Sequence, residues 1–200
     1  ASNNSAFGYA ALGANTTGDV NTAVGAYSLD ANTTGVRNSA FGFGALGANT
    51  TANYNVAIGY LSLQSNTTGT ANTAVGANSL AANTTAENNS AFGINTLSSN
   101  TTGIQNVAIG SYALAANTAG SNSTGIGHGV LLANTAGANT AVGSLSLQAN
   151  TTGTRNTAVG AYSLDASTTA SDNSAFGHAA LGSNTTGTQN VAIGTYALVA

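Results

Sequence analysis

His128 and His178 are the only imidazoles in the chain, and imidazole is the side chain that most readily moves a proton or holds a metal near neutral pH. Each directly follows a glycine that recurs along the sequence. They stand three repeat units apart, roughly 14 Å if the units stack at strand spacing, which is too far to share a metal ion. The same slot elsewhere holds Ala, Tyr, Phe, Ile, Ser or Thr, so both histidines read as surface variation. Asp30 and Asp165 occupy equivalent slots eight units apart, so they form no carboxylate pair within one chain. Calcium-binding repeats need dense aspartate in one loop, whereas the loops here carry Asn and Thr. The GIGHG stretch at 125–129 lacks the strand-then-helix setting of a phosphate loop. The sequence therefore gives no catalytic residue, no metal site and no cofactor site, and an enzyme is not expected.

Three other residue patterns carry chemistry of a milder kind. The N-T-T turns spell the acceptor sequence for N-glycosylation at Asn15, Asn32, Asn49, Asn66, Asn83, Asn100, Asn150 and Asn184. A structural asparagine column explains them first, with sugars along one edge as the alternative. Threonines recur at every turn, and a flat threonine array can order water. Adjacent residues in a strand face opposite ways, however, so only one column of each Thr pair can face out. Tyrosines such as Tyr27, Tyr112 and Tyr162 stand two residues after the repeat glycine. They either cover the edge of the molecule or stack on carbohydrate rings.

Composition narrows the partners. Charged residues make up 4% of the 200 residues and the net charge is −3. The only basic residues are Arg37 and Arg155, so the clustered cations that release counterions from nucleic acid are missing. There is no cysteine, hence neither a disulfide framework nor a thiolate metal site. A cysteine-free chain suits an oxidising, extracellular setting. No run of about 18 apolar residues is present, so no membrane-spanning helix is expected.

These residues must be positioned by the repeat itself. Its glycine falls at 8, 25, 42, 59, 76, 93, 110, 127, 143, 160, 177 and 194, every 17 residues except for one step of 16. Before the glycine comes Phe, Val or Ile, and before that Ala, with Gly125 the exception. Leu follows four residues after the glycine in every unit. An amphipathic helix would need an apolar residue every three or four positions, which this period does not supply. A short repeat rich in Gly, Asn and Thr predicts an all-β fold, a parallel β-solenoid or β-roll of about twelve coils. Such a stack would be on the order of 55 Å long. Residues 1–200 form one continuous array.

Two short strands per coil are expected, one over N-x-A-(Phe/Val/Ile)-G and one near the Leu, joined by N-T-T-G. The bulky ladder of Val24, Phe41, Ile58 and Val75 is expected to face inward and meet Leu29, Leu46, Leu63 and Leu80. Asn21, Asn38 and Asn55 form one column and Asn32, Asn49 and Asn66 another, since stacked amides can hydrogen-bond from coil to coil. That leaves Ala23, Gly25, Ala40, Gly42, Ala57, Gly59, Ala74 and Gly76 facing outward. A flat Ala/Gly ribbon would be an aggregation hazard unless covered. Self-association through it is expected, as a homo-oligomer (a trimer favoured) or a filament.

The phrases NTAVGAYSL, NSAFGFGAL and NVAIGSYAL resemble the short repeats of YadA-like heads of trimeric autotransporter adhesins. The N-T-T-G turn is similar to segments of phage tail fibres. The resemblance covers the whole chain and implies a left-handed parallel β-roll with three chains side by side. The period here is longer, and Leu stands where that family tends to carry Ala. The chain begins and ends inside a repeat, where a complete solenoid would carry caps, so it reads as an excerpt of a longer fibre. The expected function is structural: a stiff rod at a cell surface or on a virion that spaces or presents a binding region. A rod that itself binds a cell surface, a carbohydrate or ice through its Thr or Tyr columns is the alternative.

Overall fold

The computed structural model describes residues 2–199. Each repeat contributes one strand of three residues: β1 (Ser5–Phe7), β2 (Thr22–Val24), β3 (Ser39–Phe41), β4 (Val56–Ile58), β5 (Thr73–Val75), β6 (Ser90–Phe92), β7 (Val107–Ile109), β8 (Thr124–Ile126), β9 (Thr140–Val142), β10 (Thr157–Val159), β11 (Ser174–Phe176) and β12 (Val191–Ile193). The twelve strands lie in sequence order in a single parallel sheet. Each pairs with the equivalent residues of the next, Ala40 against Ala57 and Phe41 against Ile58. The chain is thus a β-solenoid, and every column of the repeat is a straight ladder. The short coil keeps this register, with Gly125 opposite Ala141. Its missing residue is taken up in the turn, where Asn134 and Asn139 are five positions apart and their counterparts Asn32 and Asn38 six.

Only one side of each coil is a strand. The expected second strand, around the Leu, is instead a run of turns closed by bonds such as Ser28 N–H to Gly25 O at 3.3 Å and Asn32 N–H to Leu29 O at 3.2 Å. Tyr27 and Leu29 both sit at positive φ, 58° and 49°, so the chain here alternates hand rather than extending. The alternation sends successive amides opposite ways along the rod. Tyr27 N–H donates to Tyr9 O in the preceding coil, and Leu29 N–H to Ala45 O in the following one. Neighbouring coils are therefore bonded on the Leu side as fully as on the strand side, without a second sheet.

The core lies between the sheet and this turn ladder. It consists of the strand alanines and the leucines, with Ala23, Ala40, Ala57, Ala74, Leu29, Leu46, Leu63 and Leu80 all fully buried. A buried leucine contributes about 1.5–3 kcal/mol, and one per coil makes this the main apolar term. Val24, Phe41, Ile58 and Val75 do not join it. The middle residue of a three-residue strand faces opposite to its two flanks, and the middle residue is Ala. The leucines already fill the interior, so only a methyl fits beneath the strand. The bulky ladder points outward, leaving Phe41 39% and Ile58 42% exposed.

The same reversal removes the proposed self-association ribbon. Ala23, Ala40, Ala57 and Ala74 lie inside the coil, where no partner can reach them. Gly25, Gly42, Gly59 and Gly76 are half-buried and stack backbone on backbone. A Cβ on Gly59, at φ +130°, would stand 2.7 Å from the carbonyl carbon of Gly76.

One coil shows the packing rule through its exception. Gly125 replaces the strand alanine where Val130 replaces the small residue opposite. A Cβ on Gly125 would come 3.2 Å from Val130 Cγ1, so volume lost from the strand is returned by the turn.

Candidate interaction surfaces

The outer face of the sheet carries two columns from each strand. One is Ser, Thr or Val, from the first strand position; the other is Phe, Val or Ile, from the third. They run about 7 Å apart, and neither contains a charged residue. Phe41, Ile58, Phe92, Ile109, Ile126, Val159 and Phe176 remain 37–42% exposed along this stripe. Bulk alone places these side chains in the core, and the fold turns them outward. The signal that they share the outer face is the pair Val56 and Ile58, two bulky residues flanking one alanine.

The asparagines build the opposite kind of ladder, closed and internal. Asn49 Nδ2 donates to Asn32 Oδ1 at 2.8 Å, and Asn66 Nδ2 to Asn49 Oδ1 at 3.2 Å. In the other column Asn38 N–H donates to Asn21 Oδ1 at 2.9 Å and Asn55 N–H to Asn38 Oδ1 at 3.0 Å. The two columns meet at a shared carbonyl: Gly35 O accepts from Asn21 Nδ2 at 2.8 Å and Asn32 Nδ2 at 3.1 Å. The clasp closes each coil except those where Ser123 or Ser167 stands in one of the columns, and an asparagine suits it because one amide both donates and accepts.

This clasp overturns the glycosylation reading. Asn32, Asn49, Asn66, Asn83, Asn100 and Asn150 are fully buried, and the amide nitrogen a sugar would join is already bonded inside the coil. Asn15 and Asn184 are half-buried, with Nδ2 bonded to Gly18 O and Gly187 O at 3.0 and 2.9 Å. The first threonine of most turns is likewise committed, as Thr33 Oγ1 donates to Thr50 O at 3.0 Å. The second column (Thr34, Thr51, Thr68, Thr85, Thr102) faces solvent, then gives way to Ala119 and Ala136.

Titratable groups are scattered along the edges. His128 and His178 are exposed, and each lies edge-on to a tyrosine, Tyr112 at 6.4 Å and Tyr162 at 5.7 Å. Arg155 grips Asp172 of the next coil with two bonds, Nε to Oδ1 at 2.6 Å and Nη2 to Oδ2 at 2.9 Å. That hydrogen-bonded guanidinium holds the Asp172 carboxyl below its ordinary range. Partial burial pushes Asp165 the other way, upward. Arg37 lies over the Tyr54 ring at 5.4 Å. Among the described residues no group of three His, Asp or Glu side chains could hold a metal ion. No helix among them is long and apolar enough to cross a membrane.

Beyond the repeat glycine, on the corner after the strand, rings from successive coils touch. Tyr9, Tyr27, Phe43 and Tyr60 run as one file with centroids 5.4, 5.7 and 5.7 Å apart. A shallow cleft of about 350 Å³ opens beside this file, bounded by Tyr27, Asp30, Phe43, Gly47 and Gln64.

Fold and surfaces define a parallel β-solenoid with one strand per coil, an alanine–leucine core and an apolar outer stripe. No family model matches the chain, and no curated protein or solved structure matches it either.

Proposed function

We propose that this chain is a structural segment of an extracellular fibrous protein, of the adhesin or tail-fibre kind, whose copies associate side by side through the outer face of the sheet. The observation that carries the reading is the uncharged Phe/Val/Ile stripe running the length of the rod while the coil interior is already filled. Monomeric soluble proteins rarely expose so continuous an apolar patch, and covering it is the main reward for association. A trimer suits the stripe best. It is one side chain wide and flanked by the Ser/Thr/Val column, so three copies around one axis bring the stripes together, whereas larger rings leave a hollow centre. Association then stiffens a rod already bonded coil to coil, which is the mechanical property a spacer needs. The cysteine-free, lysine-free composition suits an extracellular location.

The test is the mass of the assembled species by analytical ultracentrifugation, for the natural chain and for the double variant Ile58→Lys/Ile109→Lys. Both side chains lie outside the core, so the variant keeps its circular dichroism spectrum. A trimer that falls to monomer supports the reading. A natural chain that is already a monomer, or a variant that still assembles, overturns it.

Ice binding has less support. The exposed threonines form one column rather than two, and Ala119 and Ala136 interrupt it. Carbohydrate binding rests on a specific cleft and is taken up below.

A further inference from the structure

The cleft beside Tyr27 owes its shape to two missing side chains. Gly44 and Gly47 stand in columns that carry Leu61 and Gln64 one coil later. Where they are absent, a notch one coil high opens between the second and fourth coils. Aromatic rings line one wall: Tyr27 and Phe43 meet at 77° and are 42% and 47% exposed, and Tyr60 continues the file beyond the cleft at 17° to Phe43. Polar groups line the other. Asp30 precedes Gly47 in its column and Gln64 follows it, which sets them about 9.6 Å apart at two coil spacings. The carboxylate leans over the gap, since a Cβ on Gly47 would lie 3.5 Å from Asp30 Oδ1.

Part of the arrangement recurs, with Ala179 and Val199 standing where the first has Gly44 and Gln64. Tyr162 and Asp165 are followed in the next coil by His178 and Gly182. The rings of Tyr162, His178 and Tyr196 again form a file, 5.7 and 5.3 Å apart. A Cβ on Gly182 would lie 3.2 Å from Asp165 Oδ1. These are the only two aspartates in that column, and each is followed by a glycine. Elsewhere the column carries Gly13, Ala, Ser, Leu, Gln or Val199. A stack of coils has no need to remove the side chain next to each aspartate. An open carboxylate beside exposed rings is a feature of the surface, not of the packing.

We propose that the Tyr27–Asp30–Phe43–Gly47–Gln64 cleft is a binding subsite for a neutral pyranose sugar, with the Tyr162–Asp165–His178–Gly182 corner as a reduced version that keeps the rings and the carboxylate. The chemistry matches on each side. A pyranose has an apolar C–H face, which packs on an aromatic ring, and hydroxyls around its rim. Asp30 accepts from two such hydroxyls, and the Gln64 amide both donates and accepts. Binding pockets typically combine aromatic walls with a few convergent polar groups. The cleft holds one sugar ring, so a single site binds on the order of millimolar. Two such sites on one rod, multiplied by association of rods, raise avidity toward a glycan-coated surface. The inference goes beyond the structural reading and does not depend on it, because oligomer mass and sugar binding are measured separately.

The experiment is an amide-resolved NMR titration of the full chain with the methyl pyranosides of glucose, galactose and mannose and with methyl N-acetylglucosaminide. At least one sugar gives saturable shifts centred on Gly44, Gly47 and Gln64. Asp30→Asn weakens that binding at least tenfold, and so does Gly47→Gln, which fills the notch with the residue the column carries at Gln64. Both variants keep the melting curve of the natural chain. No saturable shift with any of the four sugars overturns the proposal, and so does a shift that survives both substitutions.

Discussion

Asn150 Nδ2 donates to Asn134 Oδ1 at 2.6 Å, but Asn150 Oδ1 receives nothing, because the next coil carries Ser167 where the column otherwise holds asparagine. The serine hydroxyl is buried and unbonded as well. The amide ladder stops there for want of reach. Ser167→Asn restores the donor that Asn150 lacks and lets Asn184 donate in turn. Removing an unsatisfied buried acceptor is worth on the order of 1–2 kcal/mol. The urea midpoint therefore rises with the slope unchanged. A lowered midpoint would mean that the site has no room for the longer side chain.

The period, the parallel stacking, the buried Leu29 ladder and the turn at Asn32 follow from spacing and residue type. The direction of Val24 does not. Alternation fixes only that Val56 and Ile58 share a face opposite Ala57, and bulk alone wrongly places the larger pair inside. The decisive fact is the narrow gap left by the leucines, which is a tertiary property. The second strand failed for a different reason. Leucine has no preference for the left-handed region, so Leu29 at φ 49° gives no local sign of itself. A sign did exist two residues earlier in the repeat, where the column carries Gly44, Asn78, Asn95 and Gly129, residue types that tolerate positive φ. The cleft at Tyr27 was half legible: its tyrosine and aspartate stand out, but the glycine that opens it belongs to the following coil.

The repeat glycines tolerate nothing larger. Gly59→Ala introduces a Cβ 2.7 Å from both the carbonyl carbon and the oxygen of Gly76, at a φ of +130°. The obstacle is backbone shared by the whole stack, so it cannot swing aside. Loss of more than about 4 kcal/mol is expected, seen as an early unfolding transition or as failure to accumulate. Gly47→Ala is the control, since Ala81 and Ala115 already fill that column. It changes the urea midpoint little.

Left-handed strain predicts an inverted glycine effect. Ala71 is exposed and sits at φ 56°, with its N–H bonded to Asn53 O at 3.1 Å. A left-handed non-glycine residue costs about 1–2 kcal/mol, which glycine avoids while losing about 0.4–1 kcal/mol to unfolded-state entropy. Ala71→Gly is then neutral or stabilising by up to about 1.6 kcal/mol. A clear loss in the urea midpoint would show that this position carries no strain.

Asp165 and Asp172 respond to acid in opposite senses. Arg155 holds the Asp172 carboxyl below its ordinary value. The pair's contribution is therefore complete above the unfolded value near 3.9 and is lost as pH falls through the folded one. Both partners face solvent, so the effect is small and is screened by salt. Burial raises Asp165, so its charged form is disfavoured in the fold, and stability falls as pH rises through the carboxylate range. Thermal melts between pH 2 and 7 separate the two. Asp172→Asn flattens the acid loss, and Asp165→Asn raises the melting temperature at pH 7 but not at pH 2. The same sign of change for both variants at pH 7 would contradict this assignment.

Gly125 and Val130 form a compensating pair and should be energetically coupled. Five coils fill the same space with two alanines, among them Ala40 and Ala45, Ala108 and Ala113, and Ala175 and Ala180, all fully buried. Gly125→Ala alone presses a methyl against Val130 Cγ1 at 3.2 Å. Overpacking of this kind costs about 1–3 kcal/mol. Val130→Ala alone leaves a cavity two methyl groups in size, with a cost of about 1–2 kcal/mol. The double variant reproduces the packing of Ala108 and Ala113 and recovers most of both losses. A double-mutant cycle on urea midpoints should therefore return a coupling of at least about 1 kcal/mol. Simple additivity would mean that the strand and the turn do not share this volume, and that the missing Cβ of Gly125 has some other cause.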